Sequence, residues 1–200
     1  MLRIYICGQK YPALELLKTC IEKGHRVIGV CTPKNDAYIR PIALQLGIPL
    51  CEPAELAPDN LVDSDIGLLM NHFHKIPNCL IPVPKYGFAG YHPSLLPRHR
   101  GRSSIEWAIA MKDNITGGSI YWLNPVYDGG SIAYQRPVFI LPELWSMPVR
   151  DAAAKLWREH LMPVGIDLFK QLLDDLQAGK VISLQQDERA ATFEPPFRYE

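Results

Sequence analysis

One histidine and one aspartate have the surroundings that acid–base chemistry requires. His92 stands in the segment Tyr91-His92-Pro93-Ser94-Leu95-Leu96-Pro97-Arg98-His99-Arg100-Gly101, where two prolines restrict the backbone on either side of a small polar residue and two leucines. An imidazole held in one orientation can exchange a proton near neutral pH. Asp128 opens a tight Asp-Gly-Gly turn, from which its carboxylate can orient such a ring. The same two residues also suit structural roles, as a hydrogen-bonded core histidine and a turn former.

The remaining constellations are weaker. His72 and His74 alternate as strand neighbours do, but no carboxylate cluster accompanies them, so no metal site is expected. Ser94 lacks the Gly-x-Ser-x-Gly elbow of a serine hydrolase. Gly8 has no partner glycines for a dinucleotide loop. Arg98, Arg100 and Arg102 suit either an anionic ligand or ordinary surface ion pairs.

The elements that must position these residues read as alternating apolar strands and amphipathic helices. Leu2 to Cys7, Val27 to Val30 and Ile66 to Met70 are short apolar runs of buried-strand type. Between the first two, a helix is expected with Pro12 as its first residue and Gly24 as its stop. Asp36 to Leu46 forms another, interrupted near Pro41. Gly87 to Tyr91 reads as a strand ending just before His92, and Ser103 with Glu106 as a capping box opening a helix. Gly118 to Leu123 and Ser131 to Ile140 are strands around the Asp128 turn. Val149 to Gln177 is helical, broken or kinked by Pro163 and Gly165, and Phe193 to Glu200 is an irregular tail. The alternation predicts an α/β, Rossmann-like, mostly parallel sheet flanked by helices, in one domain spanning 1–200. Ligands of such sheets lie beyond the carboxyl ends of the strands, where His92 and the Met70-Asn71-His72 run should fall.

Lys+Arg and Asp+Glu balance at 21 each, which argues against the broad positive field of a nucleic-acid binder. No apolar run is long enough to span a membrane, and the opening residues lack signal-peptide character. Five scattered cysteines fit reduced thiols, and a cytoplasmic location is expected.

The run His-Pro-Ser-Leu-Leu-Pro, the Arg-Gly after it and the downstream Asp-Gly-Gly turn resemble the folate-dependent formyltransferase family. The likeness is strongest to the hydrolase-type domain of the 10-formyltetrahydrofolate dehydrogenases, which shares Tyr-His-Pro-Ser-Leu-Leu-Pro-Arg-His-Arg-Gly. It implies the formyltransferase fold, 10-formyltetrahydrofolate as formyl donor, and His92 and Asp128 as the catalytic pair. It further implies that the loop Asn71 to Leu80 and the segment Leu123 to Asp128 form a pterin slot, with Asn71, His72, Ile76, Leu80, Leu123 and Tyr127 as binding residues. The family's catalytic asparagine falls on Gly90, and Asn71, His72 or a water is expected to supply the missing donor. The Asp-Gly-Gly and His-Pro motifs do not name the acceptor. A tRNA acceptor is disfavoured by the zero net charge and by the missing extra domain. A glycinamide ribonucleotide acceptor is disfavoured because Cys7-Gly8-Gln9-Lys10 does not match that branch's phosphate loop. Transfer to the amine of a small molecule, hydrolysis by water, and a folate-binding protein without catalysis remain. No metal, nucleic acid or membrane partner is expected, and the oligomeric state is open.

Overall fold

Strand β1 (Arg3–Gly8) lies between β2 (Arg26–Cys31) and β4 (Ile66–Met70), parallel to both. The computed structural model describes residues 1–199 and resolves into two compact units: Met1–Gly90 with Leu173–Lys180, and Tyr91–Leu172 with the residues from Val181 onward.

In the first unit, β3 (Leu50–Cys51) adds to β2 and β5 (Phe88–His92) adds to β4, all parallel. The strand order β3-β2-β1-β4-β5 changes direction of growth after β1. Such strands are covered on both faces, which is why they read as unbroken apolar runs; Ile4, Ile6, Leu68 and Met70 are fully buried. Helix α1 (Lys10–Glu22) begins two residues before the expected Pro12. Proline is tolerated there because the N–H groups of a first helical turn have no intrahelical acceptor. Gly24, at φ +74, ends the helix as expected, its N–H donating to Ile21 O while that of His25 reaches Cys20 O. Helix α2 (Ile39–Gln45) starts three residues later than expected, because the Asp36 carboxylate caps it from outside, accepting the N–H groups of Tyr38 and Ile39. The four-residue α3 (Pro58–Leu61) and the two-residue β3 carry no readable period.

Cys7, Cys31 and Cys51 sit in register on β1, β2 and β3. All three are buried, as is Cys20, whereas Cys79 is exposed. Burial pushes the Cys20 thiol well above its ordinary value; the contact with Cys31, and then burial, raise Cys51, while Cys31, which the contact with Cys51 would lower, is raised by Cys7 and by burial.

In the second unit the end of β5 leads to α4 (Ser104–Ala110), and β6 (Ile115–Trp122) pairs antiparallel with β7 (Ile132–Phe139). The order β5-β6-β7 completes a mostly parallel seven-stranded sheet in which β5 is the shared strand. Ser103 takes the N-cap position of α4, but the expected capping box does not form. Its hydroxyl accepts the Phe197 N–H, and Glu106 accepts the Tyr199 hydroxyl. Phe197 and Tyr199 thereby tie down the irregular tail, of which Glu200 lies outside the described residues. Helix α5 (Val149–Leu156) passes through a widened π turn over Trp157–Leu161 into α6 (Met162–Gln177), which runs on into the first unit. The break falls just before Pro163, which has no N–H to give to Glu159 and whose ring would strike that carbonyl. Leu156 and Leu161 pack with Ala108, Ile109 and Leu144 in this unit's core.

Candidate active site

His92 is the last residue of β5, one residue beyond the expected end of that strand. Gly87, at φ +69, falls outside the extended region, and the strand starts after it. The His92 ring is buried, with 6% of its surface exposed, and Nε2 lies 2.7 Å from the carbonyl oxygen of His99. A carbonyl only accepts, so the proton is on Nε2, and in the neutral ring Nδ1 carries the lone pair. Nδ1 faces Asp128 Oδ2 at 3.6 Å.

The loop after β5 is locked by Ser119, fully buried on β6. Its hydroxyl donates to Ser94 O at 2.6 Å and accepts the Leu96 N–H, while Gln135 reaches both Ser119 Oγ and Leu96 O. The Ser94 hydroxyl donates to Arg98 O. The serine thus serves the loop's shape and not nucleophilic attack.

Asp128 sits at φ +50, in the left-handed region that aspartate tolerates better than most residues. Its Oδ1 accepts the Tyr121 hydroxyl at 2.8 Å and its Oδ2 the Gly101 N–H at 2.8 Å. Burial, and then the Asp128 charge, hold the Tyr121 phenol well above the usual tyrosine value, so it remains a donor. The glycines that follow are demanded by space: a Cβ on Gly130 would overlap the Trp122 carbonyl oxygen. Gln186 donates to the backbone oxygens of Asp128 and Gly130 at 2.7 and 2.6 Å. The buried Arg100 grips Gln186 Oε1 and, through two nitrogens, the Glu188 carboxylate.

Two of the arginines considered for an anionic ligand are thereby engaged internally, Arg100 with Gln186 and Glu188, and Arg98 with both oxygens of Asp113. Burial would raise the Asp113 carboxyl, but hydrogen bonds from Arg98 and His99 outweigh it and hold it below the ordinary value. Gln186 and Glu188 were not legible as site residues. They lie between the helical pattern that ends at Gln177 and the tail from Phe193, where no motif is carried.

His92 and Asp128 are brought together in the second unit. Leu123, half-buried, and Tyr127, exposed, flank the same turn. Asn71, His72, Ile76 and Leu80 belong to the first unit. Asn71 is left-handed at φ +54 and donates its amide to Gln9 O at 3.2 Å. Ile76 and Leu80 are buried. His72 Nε2 is buried without a hydrogen-bond partner, and burial, then the neighbouring His74, push this imidazole down to about 4. Gly90, where the family asparagine would stand, is buried in β5 opposite Leu69. Among the described residues, no group of three or more His, Cys, Asp or Glu could hold a metal ion.

A carboxylate–imidazole pair thus stands at the end of a parallel strand of an α/β fold, held by backbone and phenol partners. The family model described as Formyl transferase matches residues 2–164, and the chain belongs to that family. It is 31% identical to the mitochondrial 10-formyltetrahydrofolate dehydrogenase of Mus musculus over 96% of its own length, and spans 22% of that protein. Its fold matches an N-formyltransferase from Helicobacter canadensis solved with folinic acid and dTDP-3-aminofucose, with TM-score 0.77 and 16% identity over 97% of this chain and 71% of that one. It also matches glycinamide ribonucleotide transformylase 1 from Symbiobacterium toebii, with TM-score 0.73 and 18% identity over 92% and 95% of the two chains.

Proposed function

We propose that this chain transfers the formyl group of 10-formyltetrahydrofolate to the amine of a small-molecule acceptor. The observation that carries the reading is the pair His92 Nδ1 and Asp128 Oδ2, 3.6 Å apart. With the ring proton fixed on Nε2, two proton acceptors face each other across that gap. The arrangement takes up the proton that an attacking amine must lose. Once protonated, Nδ1 becomes a donor, able to hold negative charge on a carbonyl oxygen. Asp128 keeps its aim through Tyr121 and Gly101 and needs no rearrangement.

When bound, the folate supplies an electrophilic formyl carbon on N10. The orphaned Nε2 of His72 fits such a ligand, because a neutral imidazole can meet the hydrogen-bonding edge of a pterin. Asn71, Ile76 and Leu80 in the first unit and Leu123 and Tyr127 in the second are each proposed as folate-binding residues, and the whole chain is proposed to act as one catalytic domain. Among the described residues no helix is long and apolar enough to cross a membrane.

The identity with the 10-formyltetrahydrofolate dehydrogenase over 96% of this chain favours a second reading, hydrolysis, in which water takes the place of the amine. Incubation with 10-formyltetrahydrofolate, with and without amino sugars and their nucleotide conjugates, separates the two. Amine-dependent release of tetrahydrofolate establishes transfer, and amine-independent release of formate establishes hydrolysis. Tight folate binding without turnover marks a binding protein, and absence of folate binding overturns the assignment.

A further inference from the structure

The His92 tautomer is not set by His92 itself. Its Nε2 proton is held by the carbonyl of His99, seven residues on. That carbonyl points at the ring because His99 adopts φ +57, a left-handed conformation disfavoured for a residue with a Cβ. Something must hold it there.

Thr192 surrounds the peptide. Its Oγ1 accepts the His99 N–H at 2.8 Å, its carbonyl accepts the Arg100 N–H at 3.0 Å, and its own N–H donates to Pro97 O at 3.1 Å. The His99 ring, 2% exposed, lies between two carboxylates, Asp113 Oδ2 at 2.8 Å from Nε2 and Glu194 Oε1 at 3.1 Å from Nδ1. Nε2 shares a hydrogen bond with Asp113, whereas the Nδ1 contact with Glu194 is one of proximity without a hydrogen bond. Backbone and side chain of His99 are thus gripped together, and two of the gripping residues lie beyond the residues 2–164 that the family model matches.

We infer that His99 is a positioning residue for His92, and that Thr192 and Glu194 form the clamp that holds it. The clamp fixes the His99 carbonyl, the carbonyl keeps the proton on Nε2, and Nδ1 is thereby left as the atom facing Asp128. Loosening the clamp lets the His92 proton move to Nδ1, where it closes the gap to Asp128 and removes one of the two proton acceptors. The inference rests on the proposed role of His92 in formyl transfer, but its structural half can be read without turnover.

The test uses the full chain with 15N-labelled histidine. Ring nitrogen shifts from NMR report which His92 nitrogen carries the proton, and kcat and KM for 10-formyltetrahydrofolate are measured on the same samples. The wild type should show His92 protonated on Nε2. Thr192→Val should shift the ring toward the Nδ1-protonated or a mixed form. It should also lower kcat by about tenfold to a hundredfold, with KM within about twofold. Thr192→Ser, which restores the hydroxyl, should recover both. If Thr192→Val fails to fold, Glu194→Gln, isosteric but uncharged, is read in the same way. Folded Thr192→Val or Glu194→Gln protein with unchanged His92 shifts and unchanged kcat overturns the inference. An Nε2 proton that moves in the variants, in a protein with no formyl turnover, upholds the positioning and overturns the catalytic reading alone.

Discussion

The phenol of Tyr121 donates to Oδ1 of Asp128 at 2.8 Å, and this leaves Oδ2 as the oxygen that faces His92. Oδ2 in turn accepts the Gly101 N–H, so both carboxylate oxygens are anchored and only Oδ2 faces the imidazole. Tyr121→Phe should free the carboxylate to rotate while leaving the ring packing intact. We expect kcat to fall by about tenfold, with a stability loss of about 1 kcal/mol in urea unfolding. A variant with wild-type kcat would show that Gly101 alone suffices to aim the carboxylate.

Asp128→Asn keeps the shape, and asparagine tolerates the left-handed backbone at φ +50. It removes the proton acceptor and presents an amide instead. Turnover should fall by at least about a hundredfold, while folate affinity, measured by calorimetry, stays within a few-fold. Loss of binding in parallel with rate would make Asp128 a binding group.

Gly130→Ala tests the turn that carries Asp128. Its Cβ would overlap the Trp122 carbonyl, which belongs to the backbone of β6 and cannot swing aside. The expected result is a destabilisation of about 2 kcal/mol or more, together with a drop in kcat. Thermal unfolding at the wild-type temperature would contradict the tight approach.

His72 makes stability depend on pH. Its folded value, about 4, lies below the ordinary 6.5, so the unfolded chain binds the proton more readily. The stabilisation from keeping this ring neutral is complete above about pH 6.5 and is lost as pH falls from there toward 4. It amounts to at most about 3 kcal/mol. His25, lowered mainly by burial, acts in the same direction. Comparing urea midpoints at pH 7 and pH 5 for wild type and His72→Asn isolates the His72 share. An equal drop in both proteins would assign the effect to His25 and other groups.

Much of the first unit was legible because parallel strands buried on both faces leave an unbroken apolar signature. Ile66–Met70 was read with the bounds it has in the structure, and β1 and β2 within a residue at each end. Boundaries slipped where a side chain outside the element set them, as Asp36 does for α2, or where backbone sign did, as at Gly87. At the site, His92 and Asp128 were visible through the rigid residues around them. Gln186, Thr192 and Glu194 were not, because they act through polar contacts across 56 to 95 positions of sequence, and such contacts leave no period. The same long reach displaced the capping box, since Phe197 and Tyr199 claimed the groups that Ser103 and Glu106 would have exchanged.

The placement of the cysteines makes the chain its own unfolding counter. All five lie in the first unit, four of them sealed and Cys79 open to solvent. A thiol reagent added to native protein should consume one equivalent quickly and then wait for that unit to open. The slow equivalents then time excursions of the β1–β2–β3 end of the sheet, and events confined to the His92 and Asp128 unit leave the trace flat.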